Sequence, residues 1–446
     1  MRIISLCLVS LSLQFVRPAT CSATSPADAA ITTPTTTVTT SPIQTGADQM
    51  NLYLHLLRGK NVAIFANATS VIGNTHLVDT LLKRGIRVVK IFSPEHGFRG
   101  EADAGAKVGN QQDPSTGIPI ISLYGTKNKP SPSDLEGVDI LVFDIQDVGV
   151  RFYTYISSMQ KYLEAAIENH RTLIILDRPN PNGFYVDGPI LDTKYRSFVG
   201  MQPIPVVYGM TIGEYAKMLL GEKWLSPSDS ITVATAKTAA ATAPTTTAAT
   251  NNPTTTIPAT TPGSSTTYTS SIKNTATGDF RLIVIPCRNY THKSRYTLPV
   301  KPSPNLPNMQ SVYLYASLCL FEGTPVSLGR GTTKPFQQFG NPSFPSTGYS
   351  FTPQSLPGAT SPPQLGKTCN GYDLSQGDAE KATGNRWTLK WVLEAYRLFP
   401  DKDSFFLHNG GGFDRLAGGP TLRQQIKEGL SEDAIRKTSG TRTLQL

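Results

Sequence analysis

Cysteine is scarce, charge is thin and long apolar runs are missing, and each shortage removes a class of protein. Five cysteines occur in 446 residues; Cys7 lies in the first apolar stretch, and the rest are far apart and form no C-x-x-C metal or redox pattern. Cys319 falls in an apolar run and reads as a small buried hydrophobe. Cys287 and Cys369 remain as candidates for one disulfide in an oxidising compartment. The six histidines show no His-x-x-x-His spacing, so no metal site is expected. Gly-x-Ser-x-Gly is absent, which removes the nucleophile elbow of a serine hydrolase. The Gly-x-Gly at 329–331 lacks the third glycine and the strand–turn–helix setting of a dinucleotide turn, and no cofactor is expected. After the N-terminal run, nothing approaches the roughly 20 apolar residues of a membrane span.

Charged residues make up 16% of the chain with a net charge of +9, yet the lysines and arginines are scattered. Without a basic stripe a nucleic-acid partner is not expected, whereas a diffusely basic surface suits an anionic polymer. Met1-Arg2, the apolar Ile3–Val16 and small residues near Ala19–Ala23 read as a secretory signal over 1–23, hence a secreted or periplasmic protein. Cys21 has Pro18, not Leu, three positions upstream, which argues against a lipid anchor. Residues 24–48 and 226–278 are Thr/Pro/Ala-rich and poor in core-forming side chains. The first is expected to be a disordered leader and the second a disordered surface insertion, since loop-closure cost grows only logarithmically with length.

Between these stretches short apolar runs alternate with helical spacing. Val62–Ala66, Val88–Phe92, Ile120–Tyr124, Ile140–Phe143 and Thr172–Leu176 read as strands; His76–Arg84, Tyr153–Asn169 and Thr211–Leu220 read as helices. Fully apolar strands alternating with helices predict an α/β fold with a Rossmann-like parallel sheet covered on both faces. That domain is expected over 49–322, closing with a strand at Leu282–Pro286 and a helix at Met309–Phe321. A smaller α+β domain follows over 323–446, with short strands near Tyr349–Thr352 and Gly371–Leu374 and helices at Leu389–Phe399 and Leu422–Gly429. Ligands in such folds bind beyond the carboxyl ends of the strands. Four polar segments sit there: Asn67–Ser70, Pro94–Gly100, Asp144–Arg151 and Asp177–Asn180.

Glu95 lies between Pro94 and His96 directly after a strand. Phe92 and Phe98 are placed to give the apolar setting that keeps a proton-donating carboxyl neutral. His96 is a candidate relay or orienter; the plainer alternative pairs Glu95 with Arg99 for stability. In Asp144-Ile145-Gln146-Asp147, alternation puts Asp144 and Gln146 on one face, with Asp147 opposite. Either carboxylate suits water activation and Arg151 suits an anion; equally, Asp147 caps the next helix and pairs with Arg151. Asp177, Arg178 and Asn180 carry sugar-binding groups, or form a turn built on two prolines. Glu322 and Arg330 make a further polar cluster, in which Arg330 is either a carboxylate clamp or an inter-domain salt bridge.

Ser-Pro-Glu-His-Gly-Phe-Arg-Gly (93–100), the run from Phe143 to Tyr155, Asp-Arg-Pro-Asn-Pro (177–181), Lys-Pro-Ser-Pro-Asn-Leu-Pro (301–307), Leu-Phe-Glu-Gly-Thr (320–324) and Gly-Arg-Gly-Thr (329–332) together resemble the exo-β-N-acetylmuramidase family of the NamZ type. The resemblance spans about 50–225 and 280–436. It implies a glycoside hydrolase that releases N-acetylmuramic acid from the non-reducing ends of peptidoglycan fragments. Its partners would be muropeptides, and the alternative is a non-catalytic muropeptide-binding protein of the same fold. By that resemblance Glu95 is the catalytic glutamate, with Asp144, Asp147 or a tyrosine such as Tyr153 as its partner. His96, Arg99, Gln146, Arg151, Tyr153, Asp177, Arg178, Asn180, Glu322 and Arg330 are implied as substrate-binding positions. Two departures stand out: the 226–278 insertion, and a C-terminus from Lys437 without the aromatic, basic helix the resemblance leads one to expect, as in a truncated domain.

Overall fold

The structure, a computed structural model, describes residues 41–95, 97–98, 111–225, 233–237, 268–272, 280–438 and 444–445. The expected signal, the leader to residue 40, most of the 226–278 insertion, His96 and Arg99 lie outside them. The last leader residues are ordered: Thr45 and Asp48 close a turn through their side chains, and Gln44 pairs with Arg288.

The strands of the main sheet are β1 (Asn61–Ala66), β2 (Arg87–Ser93), β3 (Gln111–Gln112), β4 (Pro119–Ser122), β5 (Ile140–Asp144), β6 (Thr172–Leu176), β7 (Val233–Lys237), β8 (Tyr268–Ile272) and β9 (Phe280–Ile285). They lie in the order β7–β8–β9–β6–β5–β1–β2–β4–β3. Pairing from β9 through β6, β5, β1 and β2 to β4 is parallel, while β3 and the β7–β8 hairpin add antiparallel edges. The fold is therefore α/β, as the alternating runs predict. One difference lies in the Thr-rich stretch, in which Val233–Lys237 and Tyr268–Ile272 are strands.

Helices α1 (Met50–Leu57) and α2 (Leu77–Lys83) cover one face of the sheet, burying Tyr53, Leu57 and Leu81 against Val62, Ile64 and Val142. Helices α3 (Tyr155–Glu168) and α4 (Ile212–Gly221) cover the other. There Phe65 meets Phe143 edge-on at 5.3 Å between centroids and Tyr162 at 5.1 Å, an arrangement that adds to simple area burial.

After α5 (Met309–Leu318), strands β10 (Gln338–Asn341), β11 (Ser350–Phe351) and β12 (Cys369–Asp373) form a small antiparallel sheet in the order β10–β12–β11. Its core of Trp387, Trp391, Phe405 and Phe413 also takes in Val148, Phe184 and Val206, so one apolar core runs across the expected boundary at 322. A helix over Glu432–Thr438 follows, from which Arg436 reaches both carboxylate oxygens of buried Asp187 at 3.1 Å. Cys287, Cys319 and Cys369 are free thiols, so the candidate Cys287–Cys369 pairing is not made; Cys287 follows β9 in the first sheet and Cys369 opens β12 in the second. Among the described residues no helix is long and apolar enough to cross a membrane.

The carboxyl ends of β5 and β6 are joined by a buried ion pair. Arg178 donates from Nε to Asp144 Oδ1 at 2.6 Å and from NH2 to Oδ2 at 2.9 Å, and reaches the Val71 carbonyl at 3.0 Å. Removing one member strands the other charge without water. Arg178→Met should therefore lower stability by about 3–5 kcal/mol, and Asp144→Asn in the same chain should recover part of that loss. Urea unfolding of the single and double variants checks this; additive losses would contradict it.

Candidate active site

Polar groups at the strand ends serve two purposes, and burial separates them. After β5, Asp147 Oδ2 accepts the Gly149 amide at 2.6 Å and the Tyr208 hydroxyl. Gly149 is at φ +77°, and a Cβ there would come within 2.1 Å of the Asn180 side chain, so only glycine fits the turn. Gln146 donates to the carbonyls of Asp147 and Pro179, and Asn180 to that of Met210. Asp177 caps α4: its carboxylate accepts the Thr211 hydroxyl at 2.6 Å and the Gly213 amide at 2.9 Å, where the helix dipole favours negative charge. Burial nonetheless pushes its carboxyl up to about 6. Fully buried Arg151 donates to the carbonyls of Pro189, Ile204 and Leu416, tying the two halves of the chain together.

These residues do not line the open cleft. A cavity of about 350 Å³ lies instead beyond β2 and β4. Glu95, two residues past β2, reaches into it, and its Oε1 accepts the Tyr124 hydroxyl at 3.0 Å. Burial, with Glu95 as its hydrogen-bond neighbour, holds the Tyr124 phenol well above its usual range. Tyr153 and Tyr155 form the floor, and both hydroxyls donate to the Pro302 carbonyl, at 2.8 and 3.3 Å. Burial keeps both phenols protonated far above neutral pH. The opposite wall carries Ser303, Asn305, Glu322 and Arg330. Arg330 NH2 sits 2.6 Å from Glu322 Oε1, with its guanidinium over the Phe336 ring at 4.9 Å.

Of the expected site residues, Glu95, Tyr153, Glu322 and Arg330 meet in this cleft. Asp144, Gln146, Asp147, Arg151, Asp177, Arg178 and Asn180 are buried in the network behind it and do not line the cleft. Asp147 bonds to Tyr208 in place of the expected Arg151, and caps a turn in place of a helix. Phe92 packs on Tyr162 and Phe98 on His76, so the aromatic wall beside Glu95 comes from Tyr124 and Tyr155 instead. Tyr124, Tyr155, Ser303 and Asn305 were not singled out from sequence. Tyr124 ends an apolar strand run, and the other three lie inside long motifs shared with the resembled family, which are the signals that point to them.

A family model described as exo-beta-N-acetylmuramidase NamZ, N-terminal, matches residues 62–310, and its C-terminal counterpart matches residues 313–443. The chain is 36% identical over 414 residues to the peptidoglycan beta-N-acetylmuramidase NamZ of Bacillus subtilis (strain 168), covering 88% of this chain and 86% of that one. It is also similar to two crystal structures of DUF1343 family proteins from Bacteroides fragilis NCTC 9343. The first has a TM-score of 0.71 and 44% identity, covering 89% of this chain and 94% of that one. The second has a TM-score of 0.65 and 26% identity over the same shares.

Burial pushes the Asp147 carboxyl up to about 7, against about 3.9 in an unfolded chain. The folded state thus holds this proton more tightly than the unfolded one. Its contribution is complete below pH ~4 and is lost as pH rises towards about 7, by about 4 kcal/mol in all. Asp147→Asn should remove that dependence, so its unfolding midpoint should fall less than that of the unsubstituted protein between pH 5 and 8. Parallel midpoints in urea titrations across that range would refute it.

Proposed function

Because the chain belongs to the NamZ family of exo-β-N-acetylmuramidases, whose N- and C-terminal models it matches in order, we propose that the Glu95–Glu322 cleft is where it cleaves peptidoglycan. It is a glycoside hydrolase of the exo-β-N-acetylmuramidase type, releasing N-acetylmuramic acid from the non-reducing ends of peptidoglycan fragments. One observation carries the assignment of residues: the expected carboxylates that share the open cleft are Glu95 and Glu322, while Asp144 and Asp147 lie behind it.

Glycoside hydrolysis needs a proton donor for the leaving oxygen and a second carboxylate that directs water or attacks the anomeric carbon. Glu95 is the proton donor, oriented by the Tyr124 hydroxyl. Glu322, held in direction by Arg330, is the second group. Tyr153 lines the cleft and is not a nucleophile, because its buried phenol keeps its proton and donates a hydrogen bond to the Pro302 carbonyl. Arg330 has the planar fork that matches a carboxylate, and so suits the lactyl group that separates muramic acid from glucosamine. The apolar stretch after Met1-Arg2 supports action outside the cytoplasm, secreted or periplasmic, in the recycling of cell-wall sugars.

Glu95→Gln keeps the Tyr124 hydrogen bond and removes the transferable proton. Release of N-acetylmuramic acid from a muropeptide disaccharide should fall by about 10²–10⁴-fold, with the thermal midpoint little changed. Wild-type turnover in the variant would refute the role of Glu95. Tight binding by the unsubstituted protein with no release at all would favour a non-catalytic binding protein.

A further inference from the structure

We infer that a second cavity of about 560 Å³, sharing the Glu322–Arg330 wall with the cleft, is the subsite for the neutral amino sugar on the leaving side of the cleaved bond. The inference rests on the glycosidase reading above. Its volume is within the roughly 300–1,000 Å³ typical of ligand cavities.

Continuity is the first argument. Glu322 and Arg330 face both cavities, so a chain held across this wall has one residue in the cleft and the next in the second cavity. The two are joined again where Asn305, in the cleft, donates Nδ2–H to the Gly358 carbonyl, in the second cavity, at 2.9 Å.

The second argument is that the outer wall is built. Gly331 is at φ +77°, and a Cβ on it would come within 2.3 Å of the Gln354 carbonyl oxygen and 2.5 Å of the Pro362 ring. The Gln354 amide donates to the Gly331 carbonyl at 2.8 Å, and Gln364 Nε2 donates to the Pro325 carbonyl at 2.8 Å. These bonds hold the segment 354–364 against the loop that carries Arg330, so the cavity is pre-formed and binding need not order the wall.

Charge selects the occupant. Glu322 and Arg330 face each other at 2.6 Å, and every other residue lining the cavity is uncharged. Pro325, Leu328, Pro362 and Leu407 offer flat apolar surface, while Ser361 and Gln364 supply hydroxyl and amide groups. An N-acetylhexosamine has the matching make-up: a C–H face, neutral hydroxyls and an acetamido group. A peptide stem carries several carboxylates, whereas Arg330 is the one cation among the described residues that line this cavity.

The test compares two substrates with the same muramyl group. One is the disaccharide N-acetylmuramyl-N-acetylglucosamine; the other is N-acetylmuramyl fluoride of β configuration, whose leaving group is too small to reach the second cavity. Ala359→Trp places an indole in that cavity. The selectivity for disaccharide over fluoride, as a ratio of kcat/KM values, should fall at least about tenfold. Leu407→Arg, at a position 37% exposed and thus tolerant of charge, is the second variant and should lower the same ratio. An unchanged ratio, including an equal loss on both substrates, overturns the inference. So does a loss confined to substrates that carry a peptide stem, which would make the stem the occupant. Failure of the unsubstituted protein to hydrolyse either substrate would instead overturn the glycosidase reading.

Discussion

The buried pair between Asp144 and Arg178 decides where this fold can open a site. It sits on the ends of β5 and β6, two central strands, with both carboxylate oxygens engaged and the guanidinium also bound to the Val71 carbonyl. Ser70 adds a hydroxyl bond to the Asp144 carbonyl. Two charges taken out of water need hydrogen bonds in compensation, and here the partners come from the turns after β1 and β6 and from the end of β5 itself. Those turns are thereby closed over the middle of the sheet. The opening moves sideways, to the ends of β2 and β4, where Glu95 and Tyr124 project.

That displacement explains what the sequence makes legible. The central strands are clear because sheets buried on both faces need unbroken apolar runs, and β5 is buried along its length. Strands β7 and β8 are not, because their Thr- and Ser-containing segments sit in a stretch whose composition resembles a linker. Strand β10, Gln338-Phe339-Gly340-Asn341, has too little apolar character to stand out, although all four residues are buried. In the site, Glu95, Glu322 and Arg330 are legible as charged residues among glycines. The seven polar residues drawn into the hidden network include the same carboxylate and guanidinium groups, and they follow β5 and β6 as Glu95 follows β2. A carboxylate that caps a helix and one that lines a cleft carry the same functional group; burial tells Asp177 from Glu95.

Two of the arginine–carboxylate pairs, Asp144–Arg178 and Glu322–Arg330, make the same contrast in energy. Both show a guanidinium nitrogen 2.6 Å from a carboxylate oxygen. The Asp144 and Arg178 side chains are 0% and 3% exposed, so separating them leaves bare charges in a low-dielectric interior, and the pair behaves as part of the core. Glu322 and Arg330 are 37% and 20% exposed. Water screens them, and a pair of that kind is worth about 0–1 kcal/mol. Such a pair exchanges partners cheaply. In the proposed reaction a substrate carboxylate arriving at Arg330 would compete with Glu322 for the same donors at little cost, while the Phe336 ring beneath keeps the guanidinium in place. Equal geometry at different burial thus yields one pair that fixes the fold and another that is free to take part in chemistry.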